Sequence, residues 1–359
     1  MKRRDGFRIL VINPGSTSTK VAVYLDETPM FSESYSHSAQ ELSRFERILD
    51  QLDWRRGFVY KALDDHGFDL GSVSAVACRG GRLKPLASGT YLVNDRMLSD
   101  SRRGLQGEHA SNLACIIGDE IARRVGVPAF VVDPVSVDEL DDIARVTGVR
   151  EIQRNSLSHA LNMKAMARRA AKVLGMSYED ARLIVAHMGG GGSVSVHVDG
   201  RMVDLYNCDK EGPFAAERAG ALPTLDLVNL CYSGRFSKEE VLRMLVGGGG
   251  LMSHLNTRDI REVEARIHSG DKHAEFVLRA MAYGFAKAIA SFTATLGGKA
   301  DAIVLTGGMA YSSRLVEWVK ARISFIGPVL VFPGENELES LALGVLRVLR
   351  NDEPAKVYE

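Results

Sequence analysis

The sequence predicts an α/β protein built from two copies of one βββαβα unit, and three observations carry that prediction. The segment ILVINPGSTSTKVAVY, residues 9–24, is an apolar run, a Pro-Gly turn rich in hydroxyls, and a second apolar run. LIVAHMGGGGSVSVHVDGRMVDL, residues 183–205, repeats that layout and adds a third strand behind a D-G turn, where the first copy has LDET followed by PMFSESYS. Further on, VSAVACRGG (73–81) parallels DAIVLTGGMA (301–310), and VPAFVVDP (127–134) parallels GPVLVFPG (327–334). HASNLACIIGDEIARRVG and YSSRLVEWVKARIS lie between the paired strands and read as helices. The same signals in the same order mark an internal duplication.

A chain of 359 residues is long for one hydrophobic core, so two domains are expected. The first is residues 1–155 completed by the C-terminal helix 337–359, because LESLALGVLRVLR must return to cover the first sheet. The second is residues 156–336. Forty-five basic residues balance forty-five acidic ones, which leaves no basic excess for nucleic acid or an anionic membrane. Cys78, Cys115, Cys208 and Cys231 form no C-x-x-C pair, against a zinc site or a disulfide framework. The basic start MKRRD is followed by an apolar run too short for a signal peptide, and no run is long enough to span a membrane. A soluble cytoplasmic protein is expected.

The first Gly-rich turn is not a Walker phosphate loop, which needs a second glycine before its lysine and a helix behind it. Ser16, Thr17, Ser18 and Thr19 separate Gly15 from Lys20, and VAVY favours a strand. In a strand–turn–strand, Asn13, backbone N–H groups and the Ser16 and Ser18 hydroxyls could converge on an anion, or form only a polar hairpin tip. The second copy, with Gly189 to Gly192 at the matching place, favours the anion. Two facing halves, each with such a hairpin, suit the phosphates of a nucleoside triphosphate held in a cleft.

The duplicated unit resembles the superfamily of actin, the heat-shock ATPases and the sugar kinases, whose domains are ribonuclease H-like and face each other across a nucleotide cleft. Within it, VINPGSTSTK, CRGG, GEHASN, VVDPVSVDE, SHALN, VAHMGGGGSV, GPFAAERAGALP, VLTGGMA and FPGENELESLALGVLRVLR resemble the acetate and butyrate kinase family. They run in family order from residue 11 to residue 350. The resemblance implies reversible transfer of the ATP γ-phosphoryl group to a short-chain carboxylate such as butyrate, with ATP/ADP and Mg²⁺ as cofactors.

It also implies site residues. Arg79 and Arg218 match arginines around the substrates, where a guanidinium grips a carboxylate or phosphate with two bonds. His159 matches the histidine that stabilises the phosphoryl group in flight, and Asn13 stands with these three as catalytic. His109 matches a substrate position and His187 a nucleotide position, although a histidine ending a strand also serves structure alone. Ser16, Ser18, Lys20, Gly189, Gly190 and Gly191 are expected at the phosphates. At Gly307 and Gly308 a side chain would obstruct the purine. Asp133 and Glu337 match the magnesium positions, at the ends of corresponding fifth strands, with Glu335 and Glu339 close by; any of the three glutamates has an alternative reading as a helix N-terminal charge.

Departures fall beside the motifs: Arg82 and Lys84 follow CRGG, Ala87 and Ser88 stand where the family has Pro and Gly, and Tyr311 ends the GGMAY turn. The tract VGGGGLMSHLNT (246–257) reads as a helix–loop–helix connection rather than a third phosphate loop. Domain closure would exclude water from the reaction. A homodimer or higher homo-oligomer is the family habit; AYGFAKAIASFTATL suits either an interface or burial within the monomer. Two alternatives stand: the same reaction on acetate, propionate or isobutyrate, and an ATP-driven conformational switch that ignores carboxylates.

Overall fold

A computed structural model describes residues 6–359, so the basic start MKRRD lies outside the described residues. The chain divides into two compact units. One holds the described residues up to Asp138 together with Asn336–Glu359; the other is Glu139–Glu335.

The first unit carries a seven-stranded sheet: β1 (Arg8–Pro14), β2 (Ser18–Leu25), β3 (Thr28–Ser36), β4 (Ala75–Arg79), β5 (Thr90–Leu92), β6 (Ala129–Val132) and, from the far end of the chain, β12 (Lys356–Val357). The order is β12-β5-β6-β4-β1-β2-β3. The parallel strands β1, β4 and β6 lie at its centre, covered on both faces, and so read as unbroken apolar runs. β3 closes one edge, and its residues are exposed or half-buried along their whole length. The helix Asn112–Val125 packs on β4 and β6 and stops at Gly126, a left-handed cap with φ of 73°. The helix Glu337–Arg350 packs on β1, β4 and β6. Its Gly344 sits so close to Val132 that an added Cβ would fall 2.9 Å from one Val132 methyl.

The second unit repeats the plan with β7 (Leu183–Met188), β8 (Gly192–Val198), β9 (Arg201–Tyr206), β10 (Ala302–Gly307) and β11 (Val329–Pro333), in the order β11-β10-β7-β8-β9. Strand for strand this is β6-β4-β1-β2-β3, so the duplicated α/β fold expected from the sequence is present. The helix Ala160–Leu174 packs on β7 and β10, as Glu337–Arg350 does on the first sheet. The twenty-residue helix Lys272–Ser291, capped by Asp271 on Ala274 N–H, fills the core of the unit with Leu278, Phe285 and Ile289. The apolar face of AYGFAKAIASFTATL is therefore internal packing.

Residues 139–155 bond to the second unit. Asp141 N–H donates to Val203 O at 2.9 Å, and Arg154 reaches Asp204 and Glu211, each at 2.9 Å. Glu139 meets Lys164, which is wholly buried, at 2.8 Å. Paired charges carry much of this attachment, with the backbone bond of Asp141 and the buried Leu140 beside them.

A buried pair loses most when one partner is removed, because the other charge stays behind. Lys164→Met is expected to lower stability by about 3–5 kcal/mol, and adding Glu139→Leu to restore much of it, measured by urea unfolding. A single variant as stable as the parent would show that the pair is not desolvated.

Candidate active site

In the first unit the β1–β2 turn is closed by Gly15 N–H donating to Ser18 O at 2.8 Å, which leaves Ser16 and Thr17 exposed at the tip. Asn13 and Lys20 are cross-strand partners and project from the same face of the ladder. The Ser16 hydroxyl lies 3.3 Å from His109 Nε2, and His109 Nδ1 lies 2.7 Å from Ser111 Oγ, in the loop entering the helix Asn112–Val125. The structure thus brings His109 onto the turn.

Glu337 gathers two further residues. Its Oε2 accepts from Asn13 Nδ2 at 2.7 Å and its Oε1 pairs with Arg79 Nη1. Both pairs are largely buried, which strengthens a charge-assisted bond. Glu337 is not at a strand end, as the sequence parallel suggested; it is the first residue of the helix that follows β11, where its charge also faces the helix N-terminus. Glu339 shares that first turn, while Glu335 belongs to the second unit.

Asp133 does lie at its strand end, just after β6, in a left-handed conformation with φ of 37°. The carboxylate is buried, and Oδ1 accepts from Ser88 Oγ at 2.6 Å and Gly89 N–H at 2.8 Å. The departure at Ser88 therefore supports the acid. Gly80 packs against Pro134, where a Cβ would meet Pro134 Cα at 2.6 Å, so the CRGG turn and the Asp133 loop are locked together. The carboxylate oxygens of Asp133 and Glu337 are the donors a hard cation takes, and Mg²⁺ commonly uses one or two carboxylates plus substrate oxygens. Among the described residues no group of three or more His, Cys, Asp or Glu side chains is placed to hold a metal ion.

In the second unit His159 is the N-cap of the helix Ala160–Leu174. Its ring stacks on that of His187, with centroids 3.9 Å apart and planes 9° from parallel. Each ring is oriented through Nδ1: His159 with Ser193 Oγ at 3.0 Å, His187 with Asn162 Oδ1 at 2.7 Å. Asn162 also donates to Glu335 O at 2.7 Å. Neither Ser193 nor Asn162 could be read as a site residue, since both are common types inside regular elements.

The Gly189–Gly192 turn is tied to the loop carrying Arg218: Glu217 N–H donates to Gly190 O at 3.0 Å. Arg218 pairs with Asp209 at 2.9 Å and Glu217 at 3.0 Å. Burial works against its charge, yet the bonds to Asp209 and Glu217 outweigh it and hold its pKa above the ordinary guanidinium value. The glycine run 247–250 connects the helices Lys238–Leu245 and Leu251–Leu255, the second of which lies inside the tract 246–257 expected to be a connection, and the run also props the Arg218 loop. Gly247 N–H donates to Glu217 O at 2.7 Å, and Ala219 N–H to Leu245 O at 3.0 Å.

At the end of β10 the two glycines differ. Gly307 has φ of 89°, and a Cβ there would press on the Met188 backbone, 2.8 Å from its N and C. Nothing lies within 4 Å of a Cβ on Gly308, so space opens beside it. Tyr311, at the end of the turn, is exposed.

The Acetokinase family model matches residues 144–335. Butyrate kinase 1 of Clostridium acetobutylicum is 48% identical over 354 residues, covering 98% of this chain and 100% of the relative. Among solved structures, an acetate kinase from Porphyromonas gingivalis aligns with a TM-score of 0.78 and 17% identity, over 96% of this chain and 100% of its own. A propionate kinase from Francisella tularensis aligns with a TM-score of 0.75 and 19% identity, over 94% and 98%. At those identities the two structures speak for the fold alone.

The two glycines should differ in how well they tolerate a methyl group. Gly307→Ala is expected to cost about 1–3 kcal/mol through backbone strain, and Gly308→Ala no more than about 0.5 kcal/mol, by urea unfolding. Equal losses would contradict the geometry.

Proposed function

The chain belongs to the acetokinase family, and we propose that it transfers the γ-phosphoryl group of ATP to the carboxylate of butyrate, reversibly and in line, giving butyryl phosphate and ADP. The observation that carries the choice of acid is the 48% identity running through the whole of a butyrate kinase. Acetate, propionate and isobutyrate are the near alternatives, since one methylene in an apolar pocket is worth only about 1–3 kcal/mol.

Butyrate is ionised at neutral pH and is its own nucleophile, so no general base is required. The barrier is mutual repulsion of two anions and the charge that spreads over the phosphoryl oxygens, which positioned cations and donors relieve. Arg79 has five N–H donors, and its bond to Glu337 both aims the fork and leaves the remaining donors for a carboxylate or phosphate oxygen. Arg218, fixed by Asp209 and Glu217, does the same in the second unit. His159, set at a helix N-terminus and oriented by Ser193, donates to the phosphoryl oxygens. Asn13 holds Glu337 in place, and His109 takes part in substrate binding.

The turns Asn13–Lys20 and Gly189–Gly191 hold the phosphates through Ser16, Ser18, Lys20 and backbone amides, with His187 behind the second. Gly307 shapes the adenosine turn and Gly308 leaves room for the base. Asp133 and Glu337 would hold Mg²⁺, which supplies charge neutralisation at the phosphate oxygens when bound.

No helix among the described residues is long and apolar enough to cross a membrane. The four cysteines are unpaired, which fits a reducing cytoplasm. Self-association is supported by the helix Thr224–Cys231, which buries none of its residues and exposes Leu225 by 80%.

Hydroxylamine trapping tests the reaction. With ATP and Mg²⁺, hydroxamate is expected from butyrate and isobutyrate well above the level without acid. Arg79→Ala and Arg218→Ala should each lower kcat/KM by about 10²–10³, as expected when one group aimed at developing charge is lost. Signal from acetate alone would remove the butyrate assignment; ADP without hydroxamate would remove the kinase and favour an ATP-driven switch.

A further inference from the structure

Arg55 stands in the helix Leu52–Asp65 and has no solvent exposure at all. Buried arginines are ordinarily met by a carboxylate, because a desolvated charge is otherwise costly. Arg55 is met by neutral oxygens: Nε donates to Gln51 Oε1 at 2.8 Å, and Nη1 to Ser18 O at 2.9 Å and Thr19 Oγ1 at 3.1 Å. Nη2 has no partner. Burial is the one cause acting on its pKa, which is pulled down to about 10.

Its partners all but one belong to the β1–β2 turn. Ser18 O, which it binds, is the carbonyl that closes the turn on Gly15 N–H. The Thr19 hydroxyl is shared with His37 Nε2 at 2.8 Å, and His37 N–H donates to Thr17 O at 2.8 Å. Residues 17, 18 and 19 are therefore each held from beneath by a buried group, while the hydroxyl face at Ser16 stays open. A turn meant only to reverse the chain needs no buried cation beneath it.

We infer that Arg55 is a positioning residue for the nucleotide: it braces the Gly15–Thr19 turn and supplies a buried positive charge that is compensated when the phosphate chain of ATP or ADP binds there. The inference rests on the assignment of this turn to phosphate. It explains why an uncompensated charge is kept: the cost in the free protein is returned as affinity for an anion, in a setting where water screens it little.

The test is calorimetric titration of the full chain with ATP, alongside urea unfolding without nucleotide. Arg55→Met is expected to raise the ATP dissociation constant tenfold or more, while the urea midpoint of the free protein holds or rises. Arg55→Lys, which keeps the charge, should recover most of the affinity. Arg55→Gln, which keeps a donor for Ser18 O and loses the charge, should bind as weakly as the Met variant and serves if Met prevents folding. A Ser16→Ala/Ser18→Ala variant separates the two readings. If it weakens ATP binding while neutral substitutions at Arg55 change it less than twofold, Arg55 is structural only and the inference is overturned. If neither change moves ATP binding, the turn is not a phosphate site and both readings fall.

Discussion

The arrangement of the first unit depends on one carboxylate held at both of its oxygens. Glu337 binds Arg79 through one and Asn13 through the other, although it is 258 and 324 residues away from them in the chain. The chain makes that contact by leaving the second sheet after β11 and returning its last long helix to the first. Ser340, Leu341, Ala342, Val345 and Leu346 bury the return against β1, β4 and β6. Burying a side chain of Leu or Val size stabilises by about 1.5–3 kcal/mol, enough in sum to fix the helix start that carries Glu337. The ends of β1 and β4 thereby acquire a shared acid that neither possesses locally.

The three arginines of the account are held in three ways. Arg79 has one acid, Arg218 has two, and Arg55 has none. An acid beside a guanidinium aims it, but also cancels part of its field. In the proposed reaction, Arg79 and Arg218 meet substrate with the unused side of the fork. Arg55, without a counter-charge, acts through a turn it supports. The two histidines follow a related logic: Ser193 and Asn162 fix the rings, and the stacking at 3.9 Å leaves neither free to swing without moving the other.

Much of this was legible in the sequence, because duplication repeats its signals. The paired strand ends, the two glycine turns and the long-range return of the last helix could all be read from order and apolar pattern. Other features left no local trace. Glu337 read as a strand-end acid because the helix start after FPGEN is offset from the strand by a Gly-led turn. Arg55 sits in DWRRG, a string that looks like a surface helix; only the third dimension shows that Arg55 is inside and Arg56 bonds Glu120 at the surface. Asp209 and Glu217 give no sequence signal as partners of Arg218, because an acid near an arginine in sequence is too common to be one. Residues 139–155 read as part of the first domain, 1–155, whereas Glu139, Asp141 and Arg154 bond within the second unit, through contacts that leave no apolar periodicity.

The most direct measurement is ³¹P NMR of the reaction run backwards, with butyryl phosphate, ADP and Mg²⁺ as the only substrates. The acyl phosphate resonance is expected to fall as the three ATP resonances rise together, with no inorganic phosphate formed beyond spontaneous hydrolysis. Loss of acyl phosphate to inorganic phosphate without ATP would contradict a carboxylate kinase, as would an acyl phosphate signal that the protein leaves unchanged.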